Sequence, residues 1–447
     1  MSLPPISDTI AAIATARGAA AIGIVRLSGP ESHSIAGRLF RPRSGRTVAE
    51  LEPGSFSLGD FHDGHRVLDE GLLLKFADGR SYTGQQAVEL QVHGSSAVLR
   101  SLLDACLAAG ARQAGPGEFT LRAYLGGKLD LAQAESVLEL INAESELGRR
   151  NAQAGLSGEL SRRLGSLQDS ITKVYGGLQA RLDYPDEGVE ESEFEVPLTE
   201  IIRDIEGLLG TARSGRIASR GARLALAGRP NSGKSSLLNA LLGYERSLVS
   251  NTPGTTRDYL EAQVELMGIP VTLVDTAGLR ESLDEIEARG VEASRRVAAS
   301  ADLVIIVLDP LQDAAAQTEA ALLLAGIEPE RRLVVWSKAD VAPAPASPAA
   351  DLAVSSVSGQ GLAELRELIA EKLMGETASA ELWVSNERHA QALATARDAL
   401  TDALQAPEDL AALDLAEALS AISAITGRED VASETIEHIF ANFCVGK

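Results

Sequence analysis

The chain has 447 residues, of which 45% are hydrophobic and 4% aromatic, and its formal net charge is −22. This composition excludes a disordered or fibrous protein and predicts about two to four folded domains. The negative charge disfavours unaided binding to a nucleic acid over a wide surface, because phosphates repel an acidic chain unless its charge is locally sorted.

The number of cysteines and the hydropathy of the chain indicate the cellular compartment in which it is expected. The two cysteines, Cys106 and Cys444, are too few for a disulfide framework or a cysteine-based zinc site, so a reducing environment is expected. Residues 1–21 lack a basic region followed by an apolar core, and no run reaches the ~18 apolar residues of a membrane span. We therefore expect a cytoplasmic protein.

The first block, residues 1–120, alternates short apolar segments with glycine-containing turns. Residues 21–27 and 87–92 cluster apolar and β-branched side chains between turn signals, which predicts strands. Residues 96–108 are predicted to form a helix. The block is therefore expected to be a small α+β domain.

From residue 121 to residue 215 the apolar pattern becomes helical. Spacings of three or four residues separate Leu131, Ala134, Leu138 and Ile141, and also Leu156, Leu160, Leu164, Leu167, Ile171, Val174 and Leu178. The pattern returns in residues 376–447, at Leu393, Ala396, Leu400 and Leu404 and then at Leu415, Leu419, Ile422 and Ile425. Stripes this long predict one helical domain that is interrupted by residues 216–375.

The interrupting block opens with a phosphate-binding motif. An apolar run at 224–227 precedes GRPNSGKS (228–235), and an amphipathic helical pattern follows. This strand–loop–helix context is the one that GxxxxGKS requires, because its glycines let backbone N–H groups face phosphates at a helix N-terminus. Lys234 is predicted to reach the β- and γ-phosphates and Ser235 to bind Mg²⁺, with Asn231, Ser232, Gly233 and Ser236 completing the loop.

Four further segments predict GTP rather than another nucleotide. Asp275, Thr276, Ala277 and Gly278 follow a strand, where Asp275 can hold Mg²⁺ through water and Gly278 can sense the γ-phosphate. Upstream, the segment at 254–258 offers a threonine to the Mg²⁺ shell. Ser337, Lys338 and Asp340 follow the strand at 333–336, and Asp340 can accept two hydrogen bonds from guanine but not from adenine. Backbone N–H groups of Ser355 and Ser356 are expected near the guanine oxygen.

Two positions depart from the usual GTPase pattern. Ser337 stands where asparagine normally ties the base loop to the phosphate loop; because serine is shorter, we expect weaker nucleotide binding without loss of guanine selectivity. Leu279 stands where Ras-like proteins carry a water-orienting glutamine. The catalytic residue must therefore come from elsewhere, and the charged candidates in the next loop are Arg280, Glu281, Asp284, Glu285, Glu287 and Arg289.

Several motifs together resemble one family. GRPNSGKSSLLN (228–239), GTTRD (254–258) and DTAGLRE (275–281) are similar to the TrmE–Era–EngA group of GTPases. The flanking segments narrow the resemblance to the MnmE family, also called TrmE. They are DTIA (8–11), GIVRLSG (23–29), YTG (82–84), VELQ (88–91), HG (93–94), PGEFT (116–120), GKLDLAQAE (127–135) and FCVGK (443–447). The resemblance spans the whole chain in the family's order.

The resemblance implies a GTPase that modifies tRNA. With an FAD-dependent partner, MnmG, such proteins install an aminomethyl-type group on carbon five of a wobble uridine, and a tetrahydrofolate supplies the carbon. The resemblance assigns Arg26, Glu89, Lys128 and Lys447 to the folate. These residue types suit it, because cations pair with its glutamate tail and a carboxylate can bind a pterin edge bidentately.

The resemblance also implies how GTP is hydrolysed. Asn231 and oxygens of Ser250, Thr252 and Thr255 would hold K⁺ where other GTPases place an arginine finger. Thr256 joins Ser235 in the Mg²⁺ shell. Glu287 falls at the family's position for orienting the attacking water, so Glu287, Lys234 and Thr256 are the predicted catalytic residues. Ordering the K⁺ loop implies a dimer, constitutive through the N-terminal domain, whose GTPase domains close on GTP.

Some features leave alternatives open. Cys444 matches the family's terminal cysteine, and either a small buried side chain or a redox or nucleophilic role is possible. Gln85 and Gln86 replace the usual Glu-Asp, and Ser95 replaces glycine, beside the folate region. A regulatory GTPase of ribosome assembly is the alternative function, and a folate-dependent transferase with a vestigial GTPase is a second. The first would need a basic RNA-binding domain, and the sequence shows none.

The domain expectation is therefore fourfold. Residues 1–120 form a folate-binding and dimerisation domain, residues 121–215 the first half of a helical domain, residues 216–375 a Ras-like α/β GTPase domain, and residues 376–447 the second helical half.

Overall fold

The computed structural model describes most of the chain. The described residues are 6–16, 18–183, 195–229, 231–243, 261–275, 300–311, 326–343, 349–375, 382–427 and 432–446. They form two compact units, one made of Met1–Leu138 with Ser423–Lys447 and the other of Glu139–Ile422. Within the described ranges no helix is both long and apolar enough to cross a membrane.

The first unit contains a seven-stranded sheet. Its strands are β1 (Ile10–Ile13), β2 (Ala20–Ser28), β3 (Phe40–Pro42), β4 (Phe56–His62), β5 (Val67–Phe76), β6 (Ala87–Gly94) and β7 (Arg112–Gln113). They lie in the order β3-β4-β5-β6-β2-β1-β7, and only the β1–β7 pair is parallel. The helices of this part are α1 (Ser32–Leu39), α2 (Ser96–Ala108) and α3 (Glu118–Leu125). The predicted α+β domain is confirmed.

Alternation along the strands separates the two faces of this sheet. Val25 and Leu90 are fully buried in a core shared with α1 and α2. Arg26 and Glu89, one residue along on β2 and β6, are half-buried and lie directly opposite each other. Because successive side chains of a strand point to opposite faces, this pair lies on the face away from α1 and α2.

Helices dominate the next part of the chain. They are α4 (Leu131–Asn142), α5 (Glu146–Leu156), α6 (Glu159–Asp183), α7 (Glu195–Gly210) and α8 (Ala212–Arg220). The stripe predicted on α6 is buried, at Leu160, Leu164, Leu167, Ile171, Val174 and Leu178. Ile141, in the last turn of α4, differs from the prediction because it is 42% exposed.

A six-stranded sheet follows in the second unit. Its elements are β8 (Ala222–Ala227), α9 (Lys234–Gly243), β9 (Glu261–Leu266), β10 (Ile269–Asp275), β11 (Leu303–Leu308), β12 (Arg332–Trp336), β13 (Leu352–Ala353) and α10 (Leu362–Met374). The strand order is β13-β12-β11-β8-β10-β9, and every pair except β9–β10 is parallel. The chain leaves β8 toward β10 on one side and returns to β11 on the other. A crevice for a ligand is therefore expected at the carboxyl ends of β8 and β11.

Helices return after this sheet, as α11 (Glu387–Ala403), α12 (Glu408–Thr426) and α13 (Ser433–Ala441). α11 packs against α7, which precedes the sheet in the chain. Trp383 N donates to Asn151 Oδ1 at 2.8 Å, and Val384 N donates to Thr211 Oγ1 at 3.0 Å. These contacts confirm that an α/β domain is inserted into a helical domain. The four domain boundaries given above stay a prediction.

Candidate functional site

The loop after β8 has the backbone shape that a phosphate cradle needs. Gly228 has φ +143°, and a Cβ there would lie 2.4 Å from the carbonyl oxygen of Val307, so only glycine fits. Gly233 and Asn231 also have positive φ, at +95° and +63°. Reversals of this kind turn successive N–H groups toward one centre, which is how backbone concavities bind anions.

Lys234 is the first residue of α9, and only 5% of it is exposed. Its Nζ donates to the carbonyl oxygens of Gly228 and Arg229 at 2.9 and 2.6 Å, so the ammonium group spans the loop. Ser235 and Ser236 follow in the first turn of α9, and both residues are exposed. A cation, hydroxyl groups and a helix N-terminus thus converge where the sequence predicts phosphates and Mg²⁺.

The base loop after β12 is tied to the phosphate loop by Ser337. Ser337 Oγ lies 2.7 Å from the carbonyl oxygen of Ser232 and 3.0 Å from that of Leu308. Gly233 lies beside this contact, and a Cβ there would be 3.4 Å from Ser337 Cβ, which is an ordinary van der Waals distance. Serine therefore reaches the phosphate loop despite its length, and the reason given above for weak binding does not hold. The affinity itself stays a prediction.

Two further contacts fix the turn that follows Ser337. Ala339 N donates to Val354 O at 3.1 Å, which places the turn beside the end of β13. Lys338 has φ +56°, and its Nζ forms an ion pair with Asp309 Oδ2 at 2.6 Å. Asp340 is exposed, so its carboxylate is accessible to a base.

Ser355 is buried and its groups serve its own loop. Its N–H donates to Gln360 O at 2.9 Å, and its Oγ accepts from the N–H groups of Val357 and Ser358. The prediction that Ser355 and Ser356 both present N–H groups to guanine is thereby narrowed to Ser356, which is half-buried.

Part of the predicted nucleotide site lies outside the described residues. Asp275 ends β10, beside Leu226 of β8, as the sequence predicts. The predicted positions that lie outside the described residues are Ser250, Thr252, Thr255, Thr256, Thr276, Ala277, Gly278 and Glu287.

In the first unit, two of the predicted folate residues contact each other. Arg26 Nε and Nη2 donate to Glu89 Oε1 at 2.9 and 2.8 Å, and both side chains are 18% exposed. The guanidinium carbon of Arg26 lies 5.9 Å from the ring centre of Tyr82 and 5.7 Å from that of Phe119. Lys128 is exposed, and its Nζ donates to Gly79 O at 2.8 Å, in the loop that leads to Tyr82. The pair is thus accessible and flanked by aromatic rings.

The last residues of the chain pack onto the same sheet. Val445 forms a β-bridge with Pro116. Gly446 has φ +103° and lies so close to β1 that a Cβ on it would be 2.3 Å from Ile13 O. Ile13 ends β1, and its neighbour Ala12 lies opposite Arg26. The described C-terminus therefore ends one strand away from Arg26. Lys447 lies outside the described residues.

Cys444 belongs to this terminal segment. Its side chain is exposed, so of the two alternatives left open by the sequence, the small buried side chain is wrong. Its backbone supplies the packing instead, because its carbonyl oxygen accepts from Gly117 N at 3.3 Å.

Sequence reasoning missed a charged network beside this site. Glu118 and Arg122 are only 3% and 2% exposed and form an ion pair with each other. Asp8 forms ion pairs with Arg112 and Arg122, and Arg112 also forms one with Glu118. Arg122 Nη1 also donates to Gln85 Oε1 at 3.1 Å. Burial raises the pKa of the carboxyls of Asp8 and Glu118, but the arginine hydrogen bonds outweigh it and lower both pKa values. A signal was available, since Glu118 and Arg122 are one helical turn apart.

The glycine cradle, the crossing lysine and the tied base loop, at the carboxyl edge of one parallel sheet, define a P-loop GTPase. Family comparison then narrows the class. Residues 131–444 match the MnmE helical domain, and residues 9–128 match the GTP-binding protein TrmE N-terminus.

Full-length relatives agree with both matches. A tRNA modification GTPase MnmE from a strain of Thermus thermophilus is 50% identical, with 99% of each chain covered. The protein of the same name from Chloroflexus aurantiacus is 43% identical, covering 99% of this chain and 100% of that one. The G domain of the T. maritima FeoB iron transporter is 29% identical over 34% of this chain and 98% of its own, at a TM-score of 0.27. The chain belongs to the MnmE family of tRNA modification GTPases.

Proposed function

We propose that this chain hydrolyses GTP as a cytoplasmic homodimer and, with an FAD-dependent partner of the MnmG type, modifies carbon five of the wobble uridine of tRNA. A one-carbon tetrahydrofolate supplies the carbon. The observation that carries the proposal is the pairing, in one chain, of a GTPase crevice with an accessible Arg26–Glu89 pair between two aromatic rings.

The crevice suits a guanine nucleotide along its whole length. The glycine loop and the N-terminus of α9 present N–H groups to the phosphates, and Lys234 adds a cation at the same place. Asp340 would accept hydrogen bonds from the guanine edge while the Ser356 N–H donates to the guanine oxygen. Ser337 holds these two halves of the site together.

For hydrolysis, the residues divide the work by chemistry. Ser235 and Thr256 would hold Mg²⁺, and Asn231 with Ser250, Thr252 and Thr255 would hold K⁺. The hydroxyl of Ser235, next to Lys234 in the first turn of α9, fits the oxygen ligands that Mg²⁺ prefers. Both ions supply positive charge to the transferred phosphoryl group. Glu287 would orient the attacking water.

The folate would bind at the Arg26–Glu89 pair. Both side chains are partly exposed, so each can exchange its partner for a ligand of matching charge. A carboxylate such as Glu89 can accept two hydrogen bonds from a pterin edge, while Arg26 or Lys128 pairs with the glutamate tail. The rings of Tyr82 and Phe119 offer flat apolar surface beside them.

The homodimer is supported by an apolar patch on the open face of the first sheet. Phe56 and Leu58 of β4 are 71% and 43% exposed, and they lie opposite Leu74 and Leu72 of β5. Leu74 in turn lies opposite Glu89 on β6. A contiguous exposed apolar surface of this kind marks an interface, and a second copy would cover it next to the folate pair.

The test is mass spectrometry of tRNA nucleosides from cells lacking the chain. Loss of the modified wobble uridine, restored by the wild-type chain but not by Lys234→Ala or Arg26→Gln, is expected. Lys173→Ala is the matched control, because Lys173 is an exposed residue of α6. An unchanged nucleoside profile would leave the GTPase standing and move its function to ribosome assembly.

A second assay addresses the K⁺ site. GTP hydrolysis should be faster in K⁺ than in Na⁺ at equal ionic strength. Equal rates in the two salts would remove K⁺ from the mechanism.

A further inference from the structure

Asp309 is the residue at which the two halves of the guanine site meet. It follows β11, and β11 lies between β8, which leads into the phosphate loop, and β12, which leads into the base loop. Because parallel strands end at the same edge of a sheet, Asp309 lies between the two loops. Nothing in the motif pattern singles it out.

The Asp309 carboxylate is buried and both of its oxygens are used. The residue is 8% exposed, its Oδ1 accepts from Leu311 N at 3.0 Å, and its Oδ2 accepts from Lys338 Nζ at 2.6 Å. A buried carboxylate is costly unless a charged partner and hydrogen bonds compensate it. The position therefore has a defined partner, and that partner is the lysine of the base loop.

Lys338 needs such support because its backbone is unusual. Its φ of +56° is a conformation that residues other than glycine rarely adopt. Its carbonyl oxygen accepts from Val341 N and Ala342 N, at 2.9 and 3.2 Å, so the strained residue closes the turn that carries Asp340. Whatever holds Lys338 also fixes the place of the Asp340 carboxylate.

We propose that Asp309 is a positioning residue of the guanine site: by holding Lys338, it keeps the turn of Asp340 in its base-binding conformation and so sets guanine-nucleotide affinity. The proposal rests on the guanine site described under the proposed function. With Ser337 tying the base loop to Ser232, the ion pair is a second tether, which joins the same loop to β11. Loss of this tether would let the turn leave its base-binding conformation in the nucleotide-free protein, and the nucleotide would then have to restore that conformation on binding.

The test is equilibrium binding of GDP by the full-length chain. Asp309→Asn should raise the Kd for GDP about tenfold or more, the range for losing a hydrogen bond to a charged group. The KM for GTP should rise by a larger factor than kcat falls, because the change acts on binding. Asp309→Ser, which keeps an oxygen for the Leu311 N–H, is a second variant should Asp309→Asn fold poorly.

Asp302 provides the matched control at the opposite end of β11. Its carboxylate accepts from Arg216 Nη2 at 2.5 Å and from Arg223 N at 2.9 Å, but it lies at the edge away from the nucleotide loops. Asp302→Asn should lower thermal stability and keep the wild-type Kd for GDP.

A double-mutant cycle with Lys338→Met separates positioning from a general structural effect. If Asp309 acts through Lys338, the double variant should lose much less affinity than the product of the two single losses. Independent losses, or an Asp309→Asn Kd within twofold of wild type, would overturn the proposal. A wild-type chain that binds no guanine nucleotide would instead refute the guanine site itself.

Discussion

Removing the hydroxyl of Ser337 tests whether a serine can replace the usual asparagine of the base loop. The Oγ reaches Ser232 O at 2.7 Å and Leu308 O at 3.0 Å, but a hydroxyl has one hydrogen and donates to one acceptor at a time. Ser337→Ala therefore removes one net bond, and it leaves the carbonyl of Ser232, a residue only 1% exposed, with one donor fewer.

The magnitude follows from these two effects. A buried hydrogen bond contributes about 0.5–1.5 kcal/mol net, and a buried polar group left without its partner costs about 1–3 kcal/mol. The expected loss is about 1–3 kcal/mol, or roughly 5- to 150-fold in an equilibrium constant. Both loops joined by the bond are predicted to contact the nucleotide, so the loss should appear in the Kd for GDP.

The assay is titration of a fluorescent GDP analogue. Ser337→Thr keeps the hydroxyl and is the matched control, with a Kd expected within about threefold of wild type. Ser337→Asn compares the serine hydrogen bond with the usual asparagine hydrogen bond. It should lower the Kd for GDP only a little if the serine already joins the two loops. If Ser337→Ala binds GDP as tightly as the wild-type chain, the tie between the loops contributes nothing and the reasoning fails.

Four further predictions use other parts of the chain. Glu287→Ala should leave GTP binding intact and lower single-turnover hydrolysis by orders of magnitude; unchanged turnover would remove Glu287 from the mechanism. Asp340→Asn should shift preference from guanosine toward xanthosine nucleotides in competition binding, and persistent GTP preference would refute its role. Gly446→Ala places a Cβ 2.3 Å from a backbone oxygen at φ +103°, so tetrahydrofolate binding should weaken about tenfold while GTP hydrolysis persists; unaltered folate binding would separate the C-terminus from that site. Because the folded pKa values of Asp8 and Glu118 are lowered, their stabilisation is present above the unfolded values and is lost as pH falls through the folded ones; the melting temperature should therefore drop below about pH 4, and a flat profile would contradict it.

Much of the nucleotide site could be predicted from the sequence, because its function depends on the backbone of a continuous segment. The order of residues from Leu224 to Leu242 predicts a strand, a glycine turn and a helix, and the structure has all three. The reach of Ser337 could not be predicted in this way. It depends on how closely two loops that are distant in the chain approach each other, and only the folded sheet sets that distance.

The N-terminal site shows the same division. Strand alternation predicts that Arg26 and Glu89 each face away from the apolar residues next to them in the chain. Only the register of β2 against β6 makes Arg26 and Glu89 partners. The Glu118–Arg122 pair is one helical turn apart and could have been predicted, but Asp8 is far from Arg122 in the chain and only the fold brings the two together. The sequence left the environment of Cys444 open, and the structure shows that Phe443 and Gly446 are buried while the cysteine side chain is exposed.

The sequence by itself determined the class of each block, since hydrophobic period, glycine placement and motif order are local properties of the chain. Those properties predicted an α/β GTPase inserted into a helical domain and preceded by an α+β domain. Only the tertiary structure decided which residues contact each other. Asp309 meets Lys338 through their side chains, and Gly446 meets β1 through its backbone. Such contacts depend on strand order and register, which bring together residues that no local pattern relates.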